Sequence, residues 1–309
     1  MSTMRYFFFT ILMLMPAAAH SEQSSFTTLA QFGKNPGQLS ASYYAPNSPN
    51  AMVVLLHGCV QQAQTLAKNS GFLSLAKANN VALLLPQQDS RNNIKSCFNW
   101  FSPTDTEPES GETASIINMI TTLKHKLSIT DVYIAGLSAG GAMTSNLLIH
   151  YPNLFKGGAI YAGIPYPCAN NLIKAIACMR SGPSYSAAQL VEKVDKANVD
   201  WPPLTVFTGG SDNIVHPNNA QVIAQQWALL TDAKQHQQTI NNSIKITQWH
   251  NKAQHKTVQL TVIENLSHGI AVSPQKPHGG QVAPFVVATP ISGAIETFKF
   301  WNLNLKTST

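Results

Sequence analysis

Ile134-Ala135-Gly136-Leu137-Ser138-Ala139-Gly140-Gly141-Ala142-Met143 is the stretch on which the fold turns. Val132-Tyr133-Ile134-Ala135 ahead of it reads as a buried strand, and the residues from Ala142 to His150 have apolar side chains at helical spacing. Strand, Gly-x-Ser-x-Gly, helix is the context in which the motif carries chemistry. A sharp turn between the two elements pushes Ser138 outward and leaves room only for small residues two before and two after it. Gly136 and Gly140 occupy those places. Ser138 then opens a helix, where free N–H groups and the helix dipole favour a developing negative charge.

Outward from that turn, short runs that are apolar throughout alternate with segments of helical period. Runs at 52–56, 81–85, 132–135, 158–161 and 204–207 read as buried strands. Helices are expected over 66–79, from an N-cap at Ser110 to about 127, over 187–196, 218–230 and 291–301, with Glu112 in the first turn of the second. Residues 39–44 read as an edge strand, and 244–249 with 258–263 as a hairpin. Apolar strands alternating with helices predict an α/β fold with a mostly parallel sheet covered on both faces. No repeat or linker interrupts the pattern, so residues 22–309 are read as one catalytic domain without a separate substrate-binding domain.

A serine hydroxyl needs a base to take its proton, and the base needs an acid to hold its tautomer. On a hydrolase sheet of this kind the chain order is serine, acid, histidine. Asp212, in a Gly-rich turn after Phe207, and His268, after the last strand, supply that order with Ser138. His216 follows Asp212 too closely to close a triad. Two backbone N–H groups are expected to hold an oxyanion: Ala139, next to the serine, and Cys59, in the loop His57-Gly58-Cys59 after an early strand. His57 is read as a brace for that loop. Trp100 and Phe101 are candidate substrate-binding walls or core residues.

The chain has 309 residues, 44% hydrophobic and 11% charged, with a formal net charge of +6. Its basic residues are scattered, so no nucleic-acid footprint is present. Arg5, an apolar run over 6–15 and Ala17-Ala18-Ala19 read as a signal peptide over residues 1–21, cleaved after Ala19 or Ser21. That run is too short to span a bilayer, so export without a membrane anchor is expected, to the extracellular medium or the periplasm. Cys59, Cys97, Cys168 and Cys178 suit an oxidising compartment and allow three pairings. The favoured one is Cys59–Cys97 with Cys168–Cys178, the latter two being close in a Pro-bounded loop. No Cys-x-x-Cys spacing points to a metal, and none is expected.

Several of these stretches resemble the catalytic domain of extracellular poly(3-hydroxybutyrate) (PHB) depolymerases, within the wider group of secreted esterases that includes feruloyl and acetylxylan esterases. They are Leu56-His57-Gly58-Cys59, Cys97-Phe98-Asn99-Trp100-Phe101, residues 136–143, Ser267-His268-Gly269 and, most specific, Gly157-Gly158-Ala159-Ile160-Tyr161-Ala162-Gly163-Ile164-Pro165-Tyr166-Pro167-Cys168. The resemblance implies an α/β-hydrolase fold, a Ser138–Asp212–His268 triad, no cofactor, and cleavage of short-chain hydroxyalkanoate esters through an acyl-enzyme. A polyester or small ester is the expected partner, and the chain is expected to act as a monomer. Feruloyl or acetylxylan esters keep the mechanism and change the substrate. A non-catalytic binding protein on the same scaffold is the reading from another class. The loop after His268 departs from the family pattern, and its His278-Gly279-Gly280 stretch carries no reading.

Overall fold

The apolar runs form the middle of a ten-stranded sheet. The computed structural model describes residues 26–195 and 199–303; the expected signal peptide lies outside them. The first half of the chain runs β1 (Thr27–Thr28), β2 (Ser40–Tyr44), β3 (Ala51–Leu56), α1 (Ala63–Asn69), α2 (Phe72–Ala78), β4 (Val81–Gln87), α3 (Pro103–Thr106), α4 (Gly111–Lys126), β5 (Val132–Leu137) and α5 (Ala139–His150). The second half runs β6 (Gly157–Tyr161), α6 (Leu172–Ser181), α7 (Ala187–Glu192), β7 (Leu204–Gly209), α8 (Asn218–Leu230), β8 (Lys234–Asn241), β9 (Ile244–His250), β10 (Lys256–Ile263), β11 (Ile270–Val272), β12 (Val286–Ala288) and α9 (Gly293–Phe300).

Strand order is β1-β2-β4-β3-β5-β6-β7-β10-β9-β8. The six central strands, β4 to β10 in that order, pair in parallel. Antiparallel pairs extend the sheet at both ends. Strand β3 is apolar and buried at every position because both faces are covered. Met52, Val54 and Leu56 of β3 pack in one core with residues of α4, α5 and α8, such as Ile120, Leu147 and Trp227. Ala51, Val53 and Leu55 pack in a second core with Leu66, Phe72 and Phe298 of α1, α2 and α9. A strand buried on two sides cannot alternate in polarity.

Some expectations needed correction. The helix expected over 66–79 is two helices, α1 and α2, broken at Gly71, which takes φ +90°. The uninterpreted 278–280 stretch fills that break: Ser74 Oγ meets His278 Nδ1 at 2.7 Å, and Gln281 N–H donates to Asn69 O at 2.7 Å. The 39–44 strand is not at the edge, because β1 lies outside it. Strand β8 was not expected. All eight of its residues are exposed, so it has no apolar alternation to reveal it. Helix α6 was likewise missed, and α7 ends at Glu192, earlier than expected. Ser110 does not cap α4 through its side chain; its hydroxyl donates to Glu107 O, and Glu112 turns inward.

Candidate active site

Loops from the C-terminal ends of β3, β5, β7 and β10 meet at one edge of the parallel sheet, where such sheets collect their ligands. The loop after β5 is a single residue. Ser138 sits between Leu137 and Ala139 at φ 57°, ψ −119°, a conformation that costs on the order of 1–3 kcal/mol for a residue with a Cβ. Hydrogen bonds hold it there: Ser138 N–H donates to Tyr161 O at 2.9 Å, and its carbonyl accepts the Ala142 N–H at 2.9 Å. The flanking glycines are a matter of space. A Cβ on Gly136 would meet the Gly140 carbonyl and Thr144 Oγ1, and one on Gly140 would meet the carbonyls of Leu56 and His57. Helix α5 therefore lies directly on the ends of β5 and β3.

His268 joins the other two side chains. Its Nδ1 is 2.8 Å from Asp212 Oδ2 and its Nε2 is 2.9 Å from Ser138 Oγ. Asp212 Oδ1 accepts the N–H groups of Ile214 and Val215, each at 2.9 Å. An ionised carboxylate only accepts, so His268 carries its proton on Nδ1 and turns the lone pair of Nε2 toward the serine. The Asp212 side chain is fully buried and that of His268 is 6% exposed. The two loops are laced together: Gly210 N–H donates to Ile263 O, Ser211 N–H to Leu266 O, and Ser211 Oγ to Glu264 O. His216 is exposed, with Nδ1 accepting from Asn218 N–H, and stands outside this chain of bonds.

The loop after β3 lies against the serine. A Cβ built on Gly58 would be 3.3 Å from Ser138 Cβ. Gln61 Oε1 accepts the Gly58 N–H at 2.8 Å, and Val60 N–H donates to Lys95 O at 2.7 Å. His57 is wholly buried. Its Nε2 accepts the Gln88 N–H at 3.1 Å, so Nδ1 carries the proton and donates to Gly58 O at 2.7 Å. Burial pulls its pKa down to about 4, so the ring is neutral and braces the loop. Disulfides join Cys59 to Cys97 and Cys168 to Cys178.

A cavity of about 160 Å³ opens over Ser138 and His268. Its walls are mostly apolar: Val60, Leu137, Met179, Ile214 and Phe285, with Cys59 and Gln61 at the base loop. Phe285 stands edge-on to His268 with ring centroids 6.0 Å apart. Trp100 and Phe101 do not line this cavity. Trp100 is buried in a cluster with Ala139, Ala142, Ile164 and Val215, and Phe101 packs against that cluster. Both pack in the cluster that holds Ala139 and Ala142, the residues following the nucleophile. The actual walls escaped sequence reading. Ile214 and Met179 had a signal in their neighbours Asp212 and Cys178; Phe285 had none.

Residues 40–238 match the family described as esterase PHB depolymerase. The chain belongs to that family. Poly(3-hydroxyalkanoate) depolymerase C of Paucimonas lemoignei is 34% identical over 231 residues, which are 68% of this chain and 53% of that enzyme. The chain thus spans about half the length of that relative. Feruloyl esterase B of Thermothelomyces thermophilus is 28% identical over 229 residues, 68% of this chain and 77% of that enzyme. Among solved structures, an acetyl xylan esterase from Aspergillus awamori superposes with a TM-score of 0.75 at 19% identity, covering 91% of this chain and all of that one. The fold is that of the α/β-hydrolases. The family match includes Ser138 and Asp212 and ends before His268, so the histidine is placed by geometry.

Proposed function

We propose that this PHB depolymerase family member is a serine esterase acting on short-chain hydroxyalkanoate esters, poly- or oligo-(3-hydroxybutyrate) among them. The observation that carries the reading is His268 bridging Ser138 Oγ at 2.9 Å and Asp212 Oδ2 at 2.8 Å. His268 Nε2 takes the serine proton as Oγ attacks the ester carbonyl. The N–H groups of Ala139 and Cys59 receive the oxyanion. Collapse of the tetrahedral intermediate expels the alcohol, which leaves with the proton from His268. Water, deprotonated by the same ring, then attacks the acyl-enzyme and releases the hydroxy acid with Ser138 restored. Asp212 holds the tautomer throughout.

The cavity favours the aliphatic substrate. Its walls are mostly apolar, and Gln61 already spends its Oε1 on Gly58 N–H. Val60 and Ile214, 60% and 40% exposed, carry that apolar character out to the rim. Such a surface suits the methyl and methylene groups of a polyester better than the hydroxyls of a xylan chain. The signal-like N-terminus and two disulfides support export, since such bonds persist in oxidising compartments.

Acid release from amorphous PHB granules, hydroxybutyrate oligomers and methyl ferulate, measured with the mature protein and with Ser138→Ala, tests the reading. Release from granules or oligomers, abolished in the variant, is the expected result. Release from ferulate alone would keep the triad and move the substrate to feruloyl esters. Failure of a fluorophosphonate to label Ser138 in folded protein would leave a binding protein on a hydrolase scaffold.

A further inference from the structure

Glu112 is a buried carboxyl group with no place in the mechanism above. It lies in the first turn of α4 with 1% of its surface exposed. Its Oε2 accepts the Asn99 backbone N–H at 2.8 Å, and its Oε1 accepts Asn99 Nδ2 at 2.8 Å and Gln88 Nε2. Both amides belong to the stretch between β4 and α3, most of which has no regular structure of its own.

We propose that Glu112 is a positioning residue for the oxyanion loop, acting on the Cys59 N–H through Gln88, Asn99 and the Cys59–Cys97 bridge. The inference rests on the esterase reading. Three connections carry it. Gln88 donates its backbone N–H to His57 Nε2, and His57 fixes Gly58 O. Gln88 Nε2 also donates at 3.2 Å to Cys97 O, the carbonyl of a bridged cysteine itself. Asn99 Oδ1 accepts from Asn93 Nδ2 at 2.9 Å; Asn93 Oδ1 in turn takes the N–H groups of Lys95 at 3.0 Å and Cys97 at 3.3 Å, and Lys95 O receives the Val60 N–H. The 57–60 loop is therefore fixed from the 88–99 side, and that side is anchored on one carboxyl group.

The amide of Gln88 is turned by its other bonds, because its Oε1 accepts Asp89 N–H and Asn92 Nδ2. Its NH₂ end must face Glu112. A group with two acceptor oxygens fits three incoming donors; a glutamine there would point an N–H at one of them. Burial, with Asp105 of α3 adding to it, raises the Glu112 pKa to about 8 against the pull of these donors. The other charged groups nearby do not neutralise it: Asp89 and Arg91 pair with each other at the surface, His57 is neutral, and Lys34, from the segment packed on the start of α4, is exposed. Keeping an unmatched carboxyl here is costly, and what it secures is the geometry of a loop that must not reorganise during reaction.

The test is Glu112→Gln, with kcat expressed per active site titrated by a fluorophosphonate, on a soluble butyrate ester. A misplaced oxyanion donor weakens the transition state more than the ground state, so kcat is expected to fall about tenfold or more with KM unchanged; losing the donor outright would cost about 10²–10³. Repeating the substitution in a Cys59→Ser/Cys97→Ser background should give a smaller loss, because the tether is already cut. Asn99→Ala removes one donor from the same link and should lower kcat in the same direction if Glu112→Gln does not fold. A lowered melting temperature with kcat per site unchanged in whichever variant folds would overturn the proposal, leaving Glu112 a packing group. A wild-type chain with no reactive serine would sink the esterase reading and this inference with it; an active wild type with unaltered variants would sink this inference alone.

Discussion

Asp212→Asn tests the triad most sharply, because the structure dictates how the new amide must sit. Asp212 Oδ1 receives two backbone N–H groups, from Ile214 and Val215, and Oδ2 faces His268 Nδ1. Only one end of an asparagine side chain can accept. Turning its NH₂ toward two backbone donors in a fully buried place would leave both donors unpaired, at about 1–3 kcal/mol each. The carbonyl therefore stays on Ile214 and Val215, and the NH₂ points at His268. The ring must then accept at Nδ1 and carry its proton on Nε2, facing Ser138 Oγ with a hydrogen where the lone pair should be. A base in the wrong tautomer cannot take the serine proton. In serine proteases the equivalent change lowers kcat by about 10⁴, which is about 5.4 kcal/mol of barrier. We expect a loss of that order at pH 7 on a soluble butyrate ester, with a melting temperature close to wild type. Activity within tenfold of wild type would refute the assignment of Asp212 as the group that sets the tautomer.

Three further outcomes follow from the site's surroundings. Cutting the bridge that closes 38 residues, with Cys59→Ser/Cys97→Ser, should cost up to about 4 kcal/mol of stability on the loop-entropy model; a change under about 1 kcal/mol in urea unfolding would contradict it. Phe285→Ala should open the cavity and raise the hexanoate-to-butyrate ratio of kcat/KM by about tenfold, whereas an unchanged ratio would remove Phe285 from acyl recognition. His57 titrates at about 4 when folded and near 6.5 when unfolded, so the unfolded chain binds the extra proton first; its contribution is present above pH 6.5 and is lost as pH falls through 4, by up to about 3 kcal/mol. Urea unfolding at pH 7 and pH 4.5 should show that slope, reduced in His57→Gln, and equal slopes would refute it.

The fold was legible wherever burial on both faces left an uninterrupted apolar run, as at Met52–Leu56 and Leu204–Phe207. It was illegible where pairing leaves the side chains in solvent. Strand β8, Lys-Gln-His-Gln-Gln-Thr-Ile-Asn, joins the sheet through hydrogen bonds to β9 and exposes every side chain, so no periodicity marks it. The break at Gly71 was hidden for another reason: the stretch that packs into it, 278–280, lies some two hundred positions away. Within the site, Ser138, Asp212 and His268 stood out because chain order and strand ends constrain them. Trp100 and Phe101 attracted attention as aromatics beside a cysteine, yet they pack in the cluster around Ala139 and Ala142 and do not line the cavity.

Glu112 shows why a motif gives the reacting atoms more readily than the groups that hold them. An acidic residue in the first turn of a helix has a sufficient local explanation in the helix dipole, and nothing in the residues around it signals that the side chain turns inward. Its partners, Gln88 and Asn99, lie in a stretch whose composition reads only as a polar loop. The reacting side chains are tied to strand ends, so they inherit their positions from the sheet. The 57–60 loop is held on its 88–99 side by a disulfide and a neutral histidine and, in our proposal, by one buried carboxyl. If the proposal for Glu112 holds, removing that carboxyl should slow the acylation step while the Ser138–His268–Asp212 bonds remain in place, because the two halves of the site are fixed by different elements. Fluorophosphonate labelling separates them: its rate depends on both the activated serine and the oxyanion donors, whereas the His268 imidazole resonance in an NMR titration reports the triad alone. A slower label with an unshifted imidazole is the outcome this division requires; a shifted imidazole would mean that the halves are one mechanical unit.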